Sequence, residues 1–236
     1  MAADADELKQ QFLAVVSHEL RTPLAAVVGY AGLLRMLLAD RLTEKETTYL
    51  DHLMAQADQL QLSLNQLLDA ASLQAGTLGL VTRRTAPADV IEEVHHALAP
   101  AAGARRQAFK LDLAPALPEV RADAQRLAQV VQALAGNALK FTPEGGHVAL
   151  SACRTDGRLR VEVRDDGPGV APADRPKLFR TFSQVDMSNT RPAGGLGLGL
   201  GISRALIEAM GGQLELAFPV EGGCVAWFEL PALEVA

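Results

Sequence analysis

With 236 residues, 49% of them hydrophobic, the chain can bury one or two cores of real size, and two is the better fit. A formal net charge of −6 gives no electrostatic reason to bind nucleic acid, so any anionic ligand must be held by a local site. No run approaches the ~18 apolar residues of a membrane span, and the start is too acidic for a signal peptide. Cys153 and Cys224 match neither a disulfide framework nor a metal-knuckle spacing, so both are expected as reduced core residues of a soluble, cytoplasmic protein.

From the N-terminus, apolar residues fall at Leu8, Phe12, Val16, Leu20, Leu24, Val27, Ala31, Leu34 and Leu38, close to a helical repeat. Leu50, Leu53, Ala57, Leu60, Leu64, Leu67 and Ala71 alternate three- and four-residue steps, which is a heptad seam. Two long helices follow, joined by a short turn over Ala39–Leu42, with Thr43 and Glu46 as a capping box at the second start. A lone hairpin of this length leaves much of its apolar stripe open, so two copies are expected to pair as a four-helix bundle.

His18 lies on the side of the first helix away from that seam, in Ser17-His18-Glu19-Leu20-Arg21-Thr22-Pro23-Leu24. Its ring is expected to face solvent, with Thr22 one turn on and Glu19 adjacent, and Pro23 is expected to bend the helix just beyond. His52, His95, His96 and His147 have no metal-ligand partner one turn away and read as structural or solvated.

The heptads stop near Gly76, which sets the expected boundary between a module over 1–76 and another over 77–236. In the second, strands are expected at Gly79–Arg84, Phe109–Leu113, His147–Arg154, Leu159–Asp165, Gln213–Ala217 and Gly223–Leu230. Helices are expected at about Pro87–Ala104, Ala124–Phe141 and Leu198–Met210, with Asp123 as an N-cap. A Thr-Asp-Gly turn joins the third and fourth strands. The order has no strict βαβ repeat, so helices layered on one face of a mixed sheet, an α+β sandwich, is the expected architecture.

Three motifs sit on that frame. Asn137 and Lys140 lie one turn apart on a helix and can face one cleft. An amide oxygen there suits a hard cation such as Mg²⁺, and the lysine supplies a point charge for phosphate. Asp165 ends a strand and Gly167-Pro168-Gly169 follows, so a carboxylate can accept a hydrogen bond from an adenine amine while the glycines let the backbone approach; Asp166 falls on the other pleat face. The glycine run from Gly194 to Gly201, with Gly195, Gly197 and Gly199 within it, leads into a helix whose N-terminus can hold phosphate oxygens. It is neither a Walker A loop nor a dinucleotide fingerprint. Ala171–Ala193 before it reads as a lid, with Leu178, Phe179 and Phe182 as apolar anchors and Arg191 as a phosphate contact.

His18 in its Ser-His-Glu-Leu-Arg-Thr-Pro box, followed in order by Asn137-Ala-Leu-Lys140, Asp165-Asp-Gly167-Pro-Gly169 and the glycine run, closely resembles the transmitter core of sensor histidine kinases. The resemblance runs from about Leu8 to about Pro231. It implies an all-α hairpin, dimerised as a four-helix bundle, followed by an ATP-binding α+β sandwich of the gyrase, chaperone and histidine-kinase superfamily. It implies ATP and Mg²⁺ as cofactors, Asn137 as the metal residue, and phosphorylation of His18; the adjacent Glu19 is placed to accept the proton from the other ring nitrogen as attack proceeds. Thr22 then takes the position that orients a water when such proteins dephosphorylate their partner. That partner is the receiver domain of a response regulator, and a sensor domain or sensor protein is implied upstream.

The chain departs from the family's pattern at Ala133, where a second asparagine is usual, at Leu196, where a small hydroxyl residue is common, and at Gly201, where alanine is common. Ala133 and Leu196 motivate a rival, a catalytically degenerate scaffold that binds ATP weakly and signals through conformation or partner docking. A third reading, an ATP-gated dimerisation machine of the gyrase and chaperone type, fits the second module but not the histidine box.

Overall fold

The computed structural model describes residues 22–38, 41–179, 197–220 and 222–233. Within these, the chain divides into two compact units, the first ending at Leu78 and the second starting at Gly79.

The first unit is a pair of helices. α1 occupies residues 22–37 of the described chain, and α2 runs over Glu44–Gln74. Arg41 and Leu42 close the turn through amides on the Leu38 carbonyl. The start of α2 is set by the expected capping box: Glu46 N donates to Thr43 Oγ1 at 3.3 Å, and Thr43 N donates to Glu46 Oε2 at 2.8 Å. Ala31, Ala57 and Ala70 are buried, and Arg35 pairs with Asp51 across the two helices at 3.1 Å. Three of the five heptad leucines remain open, with Leu53, Leu60 and Leu67 49%, 60% and 40% exposed on the single hairpin, while Leu50 and Leu64 are half-buried.

The second unit begins with β1 (Arg83–Thr85), α3 (Pro87–Ala104), β2 (Ala108–Leu113) and β3 (Val120–Ala122). There follow α4 (Ala124–Phe141), β4 (His147–Thr155), β5 (Arg158–Asp165), a short 3₁₀ turn at Arg175–Lys177, α5 (Gly199–Ala209), β6 (Gln213–Ala217) and β7 (Cys224–Pro231). The main sheet has the order β2-β4-β5-β7-β6, with β2 and β4 parallel and every other pair antiparallel. It is therefore mixed, as expected.

Alternation along the strands explains the layering. Val148, Leu150 and Ala152 of β4 stand beside Val163 and Val161 of β5, and these beside Ala226 and Phe228 of β7; all are buried on the face that receives the helices. α4 packs between α3 and α5, its stripe of Leu127, Val131, Leu134 and Ala138 buried. The opposite face is polar, with Arg160 stacked 4.0 Å over Trp227 and paired to Glu229 at 2.9 Å.

Beyond single-residue shifts at the ends of β2, β4, β5 and β7, these details differ from the sequence reading. Residues 79–82 are not strand, because Val81 N is drawn to Asp123 Oδ2 at 2.9 Å and pairing starts only at Arg83. β3 is additional: three residues are too few to show a period. α5 starts at Gly199, with Leu198 at the cap. Cys153 is exposed, not in the core, because it falls on the polar pleat of β4 opposite Arg160; Cys224 is half-buried. The Thr-Asp-Gly turn is present, with Asp156 at φ 49° and Gly157 at φ 73°, the doubly left-handed pair of a type I′ hairpin.

Candidate nucleotide site

α4 delivers two of the candidate residues. Its start is held by Asp123 Oδ1, which accepts from Gln125 N at 3.1 Å and Arg126 N at 3.2 Å. Asn137, half-buried, and Lys140, exposed, lie in its last turns. Partial burial holds the Lys140 ammonium below the ordinary lysine range, and a phosphate brought beside it would oppose that shift by favouring the charged form.

β5 delivers the third. Asp165 lies on the same pleat as Val161 and Val163, the face that receives the helices. Its Oδ1 accepts from Gly167 N at 2.9 Å and from Cys224 N at 3.2 Å. Burial pushes its carboxyl above the usual range, with the charge of Asp166 adding to that push and the two amides opposing it. On the other pleat, burial alone would raise Asp166, but the backbone N–H and ring of His147 together hold it low. His147 is thus a structural partner, its Nδ1 3.1 Å from Asp166 Oδ2. His95 is likewise structural, its ring against Phe109 and its Nε2 3.2 Å from the Phe109 carbonyl.

Glycine brings the motifs together. A Cβ on Gly167 would stand 3.2 Å from the Phe141 carbonyl and 2.8 Å from Asp165 Oδ1, so the bare backbone here lets the end of α4 lie against the loop that follows Asp165. Gly223, at φ 78°, sits where a Cβ would meet the Asp165 carbonyl at 2.0 Å, and its N–H donates to the Gly167 carbonyl at 2.9 Å. Gly169, at φ 67°, approaches the Gly223 carbonyl. The roles of Gly223 and Cys224 escaped the sequence reading. Only the Gly222-Gly223 pair before a strand hinted at a close approach, and the register of β5 on β7 supplies the rest. The Cys224 thiol is pushed up to about 12 by burial and then by the Asp165 charge, so it is protonated and inert near neutral pH.

Gly197, at φ 66°, and Gly199, the first residue of α5, precede a helix whose initial amides have no helical acceptors. Thr22 is the first described residue of α1 and is exposed. His18, Glu19, Phe182, Arg191 and Gly195 lie outside the described residues, as does most of the expected lid; Pro23 is described and stands in the first turn of the described part of α1.

No group of three or more metal-ligating side chains occurs among the described residues. The donors on the α4 face are accordingly sparse: Asn137 offers one amide oxygen, and Ala133 one turn earlier offers none. A magnesium ion chelated by phosphates keeps several waters and needs only one or two protein oxygens, so this set fits such an ion. No helix among the described residues is long and apolar enough to cross a membrane.

Residues 122–234 match the family model for the "Histidine kinase-, DNA gyrase B-, and HSP90-like ATPase", and residues 8–76 match the "His Kinase A (phospho-acceptor) domain". The chain is 37% identical over 237 residues to the sensory/regulatory protein RpfC of Xanthomonas campestris pv. campestris, covering 98% of this chain and 32% of RpfC. It is 36% identical to the sensor protein GacS of Pseudomonas syringae pv. syringae, covering 97% of this chain and 26% of GacS. Among solved structures, full-length ShkA in complex with AMPPNP superposes with a TM-score of 0.74 at 36% identity, over 96% of this chain and 46% of ShkA. The chain thus spans between a quarter and a third of the length of these two curated relatives.

Proposed function

The chain belongs to the sensor histidine kinases, carrying their phospho-acceptor domain and their ATPase domain in series, and from that premise we propose that it is an ATP- and Mg²⁺-dependent protein-histidine autokinase. The observation that carries this reading is the pairing, in one chain, of the phospho-acceptor match containing His18 with a nucleotide-type site built from α4 and the end of β5.

In this reading 1–76 is the dimerisation and phosphotransfer module and 77–236 the catalytic one. Asp165 accepts a hydrogen bond from the adenine amine, and Gly167 and Gly169 admit the base. Gly195, Gly197 and Gly199 present amides to the phosphates, with Arg191 as a further cation and Phe182 as an anchor of the lid. Asn137 holds Mg²⁺, which shields phosphate charge when bound, and Lys140 neutralises what remains. A neutral His18 nitrogen attacks the γ-phosphorus, the bond to the β–γ bridging oxygen breaks, ADP leaves, and Glu19 takes the proton from the other ring nitrogen. The phosphoryl group then passes to an aspartate on the receiver domain of a response regulator, and Thr22 orients a water when the same partner is dephosphorylated. The open seam at Leu53, Leu60 and Leu67 supports a homodimer. A sensor, in the same protein or a partner, sets the activity from the cytoplasmic side, where ATP is available.

A pulse and chase tests the transfer: the chain is labelled from γ-labelled ATP, freed of nucleotide, and mixed with receiver domains from its own genome. Label is expected to leave the kinase for one receiver within minutes and to stay when that receiver's aspartate is replaced. Label that no receiver accepts contradicts the second half of the proposal. Ala133 favours one other reading, a scaffold that binds ATP without turning it over, for which the chain would bind ATP and never label.

A further inference from the structure

The last turn of α4 is tied down from outside the helix, and we propose that Arg105 and Gln107 are positioning residues for the phosphate end of the site, acting through the backbone that carries Asn137 and Lys140. The inference rests on the nucleotide reading above and adds to it a device that no sequence motif marks.

An α-helix ends with carbonyls that have no partner within the helix. Here the turn between α3 and β2 supplies them. Arg105 donates through Nη1 to the Leu139 carbonyl and, at 3.2 Å, to the Lys140 carbonyl, and through Nη2 to the Thr142 carbonyl at 3.0 Å. Gln107 Nε2 donates to the Leu139 carbonyl at 2.9 Å, the Thr142 carbonyl at 2.8 Å and the Pro143 carbonyl at 3.3 Å. Two side chains flanking one residue, Arg106 at φ 53°, therefore converge on the same carbonyls. The backbones interlock as well: Gly145 N donates to the Arg105 carbonyl at 3.2 Å and Ala108 N to the Gly146 carbonyl at 2.9 Å.

Burial does not explain Gln107. It is 6% exposed, and an apolar side chain would fill that space without leaving Gln107 Oε1 buried and, among the described residues, without a hydrogen-bond partner. Its amide nitrogen serves carbonyls only. The guanidinium adds a positive charge at the negative end of the helix dipole. Because Lys140 itself is one of the residues whose carbonyl is held, the clamp fixes how the final turn is rotated, and Asn137, one turn earlier on the same rigid helix, turns with it. Asp165, by contrast, takes its hydrogen bonds from Gly167 and Cys224, and neither Arg105 nor Gln107 donates to it. Loosening the clamp should therefore weaken the hold on phosphate and metal while sparing the hold on the base.

The test compares adenosine with ADP plus Mg²⁺ as probes, titrated by calorimetry into the full chain and into Arg105→Ala, Arg105→Lys and Gln107→Leu, below the melting midpoint of each. The gain of Mg-ADP over adenosine is expected to shrink about tenfold in Arg105→Ala and Gln107→Leu, the scale of a lost charge-assisted or paired hydrogen bond, with adenosine affinity held within about twofold. Arg105→Lys keeps the charge and loses the fork, and is expected to lose about threefold; it carries the test if the alanine variant does not fold. Parallel losses for adenosine and Mg-ADP, or an unchanged gain in all variants, would overturn the inference and leave the nucleotide reading standing. A native chain that binds neither probe would overturn that reading and the inference with it.

Discussion

Asp165 carries two demands at once. Its Oδ1 is engaged by two backbone amides, and its surroundings favour the protonated form. A carboxyl whose folded pKa lies above its unfolded value makes the fold bind protons more readily, so its contribution to stability is lost as pH rises from the usual aspartate range through the raised value. At neutral pH the charge is therefore maintained at a cost to the fold, which is expected where a group serves a ligand. Asp165→Asn keeps an oxygen for the two amides and removes the charge. Its melting midpoint without nucleotide is predicted to equal or exceed the native one, while ATP affinity falls about tenfold or more because an amide N–H₂ now faces the adenine amine. Scanning fluorimetry and a nucleotide titration read both; native affinity in the variant would remove Asp165 from reading the base. Asp165 and Gly167 were legible because a strand end followed by Gly-Pro-Gly is a local signal. Gly223 and Cys224 were not, since their contact with Asp165 exists only once β7 has paired with β5.

At the scale of elements, α4 decides where the site stands. Its bounds were legible to the residue, because an apolar stripe of helical period follows a strong N-cap. Asp123 does more than cap: its Oδ1 serves Gln125 and Arg126 while Oδ2 takes Val81 N, tying the start of the second unit to the helix. Asp123→Ala is predicted to lose about 1–2 kcal/mol, a fall of roughly 2–8 °C in melting midpoint, with Asp123→Asn recovering most of it in the same calorimetric scan. A midpoint unmoved in the alanine variant would show that the cap is dispensable. The second bond of Asp123 is also why the first strand starts later than expected: residues 79–82 read as strand, but a long-range partner claims the backbone there. β3 was invisible for the opposite reason, being too short for any pattern.

For the whole molecule, heptad spacing made the hairpin legible, and the exposed Leu53, Leu60 and Leu67 show why its seam needs a partner surface. The mixed sheet followed from the order of elements, and the strand order from pairing that no local rule reveals. The family adds a division of labour: one module presents a histidine and the other prepares a phosphoryl donor. The most direct measurement is to incubate the purified chain with Mg²⁺ and γ-labelled ATP and follow label that is lost in acid and kept in alkali, beside His18→Gln and Asn137→Ala. The account predicts such label on the native chain, none on His18→Gln, and little on Asn137→Ala. Stable label on His18→Gln, or none on a native chain that binds ATP, would contradict it.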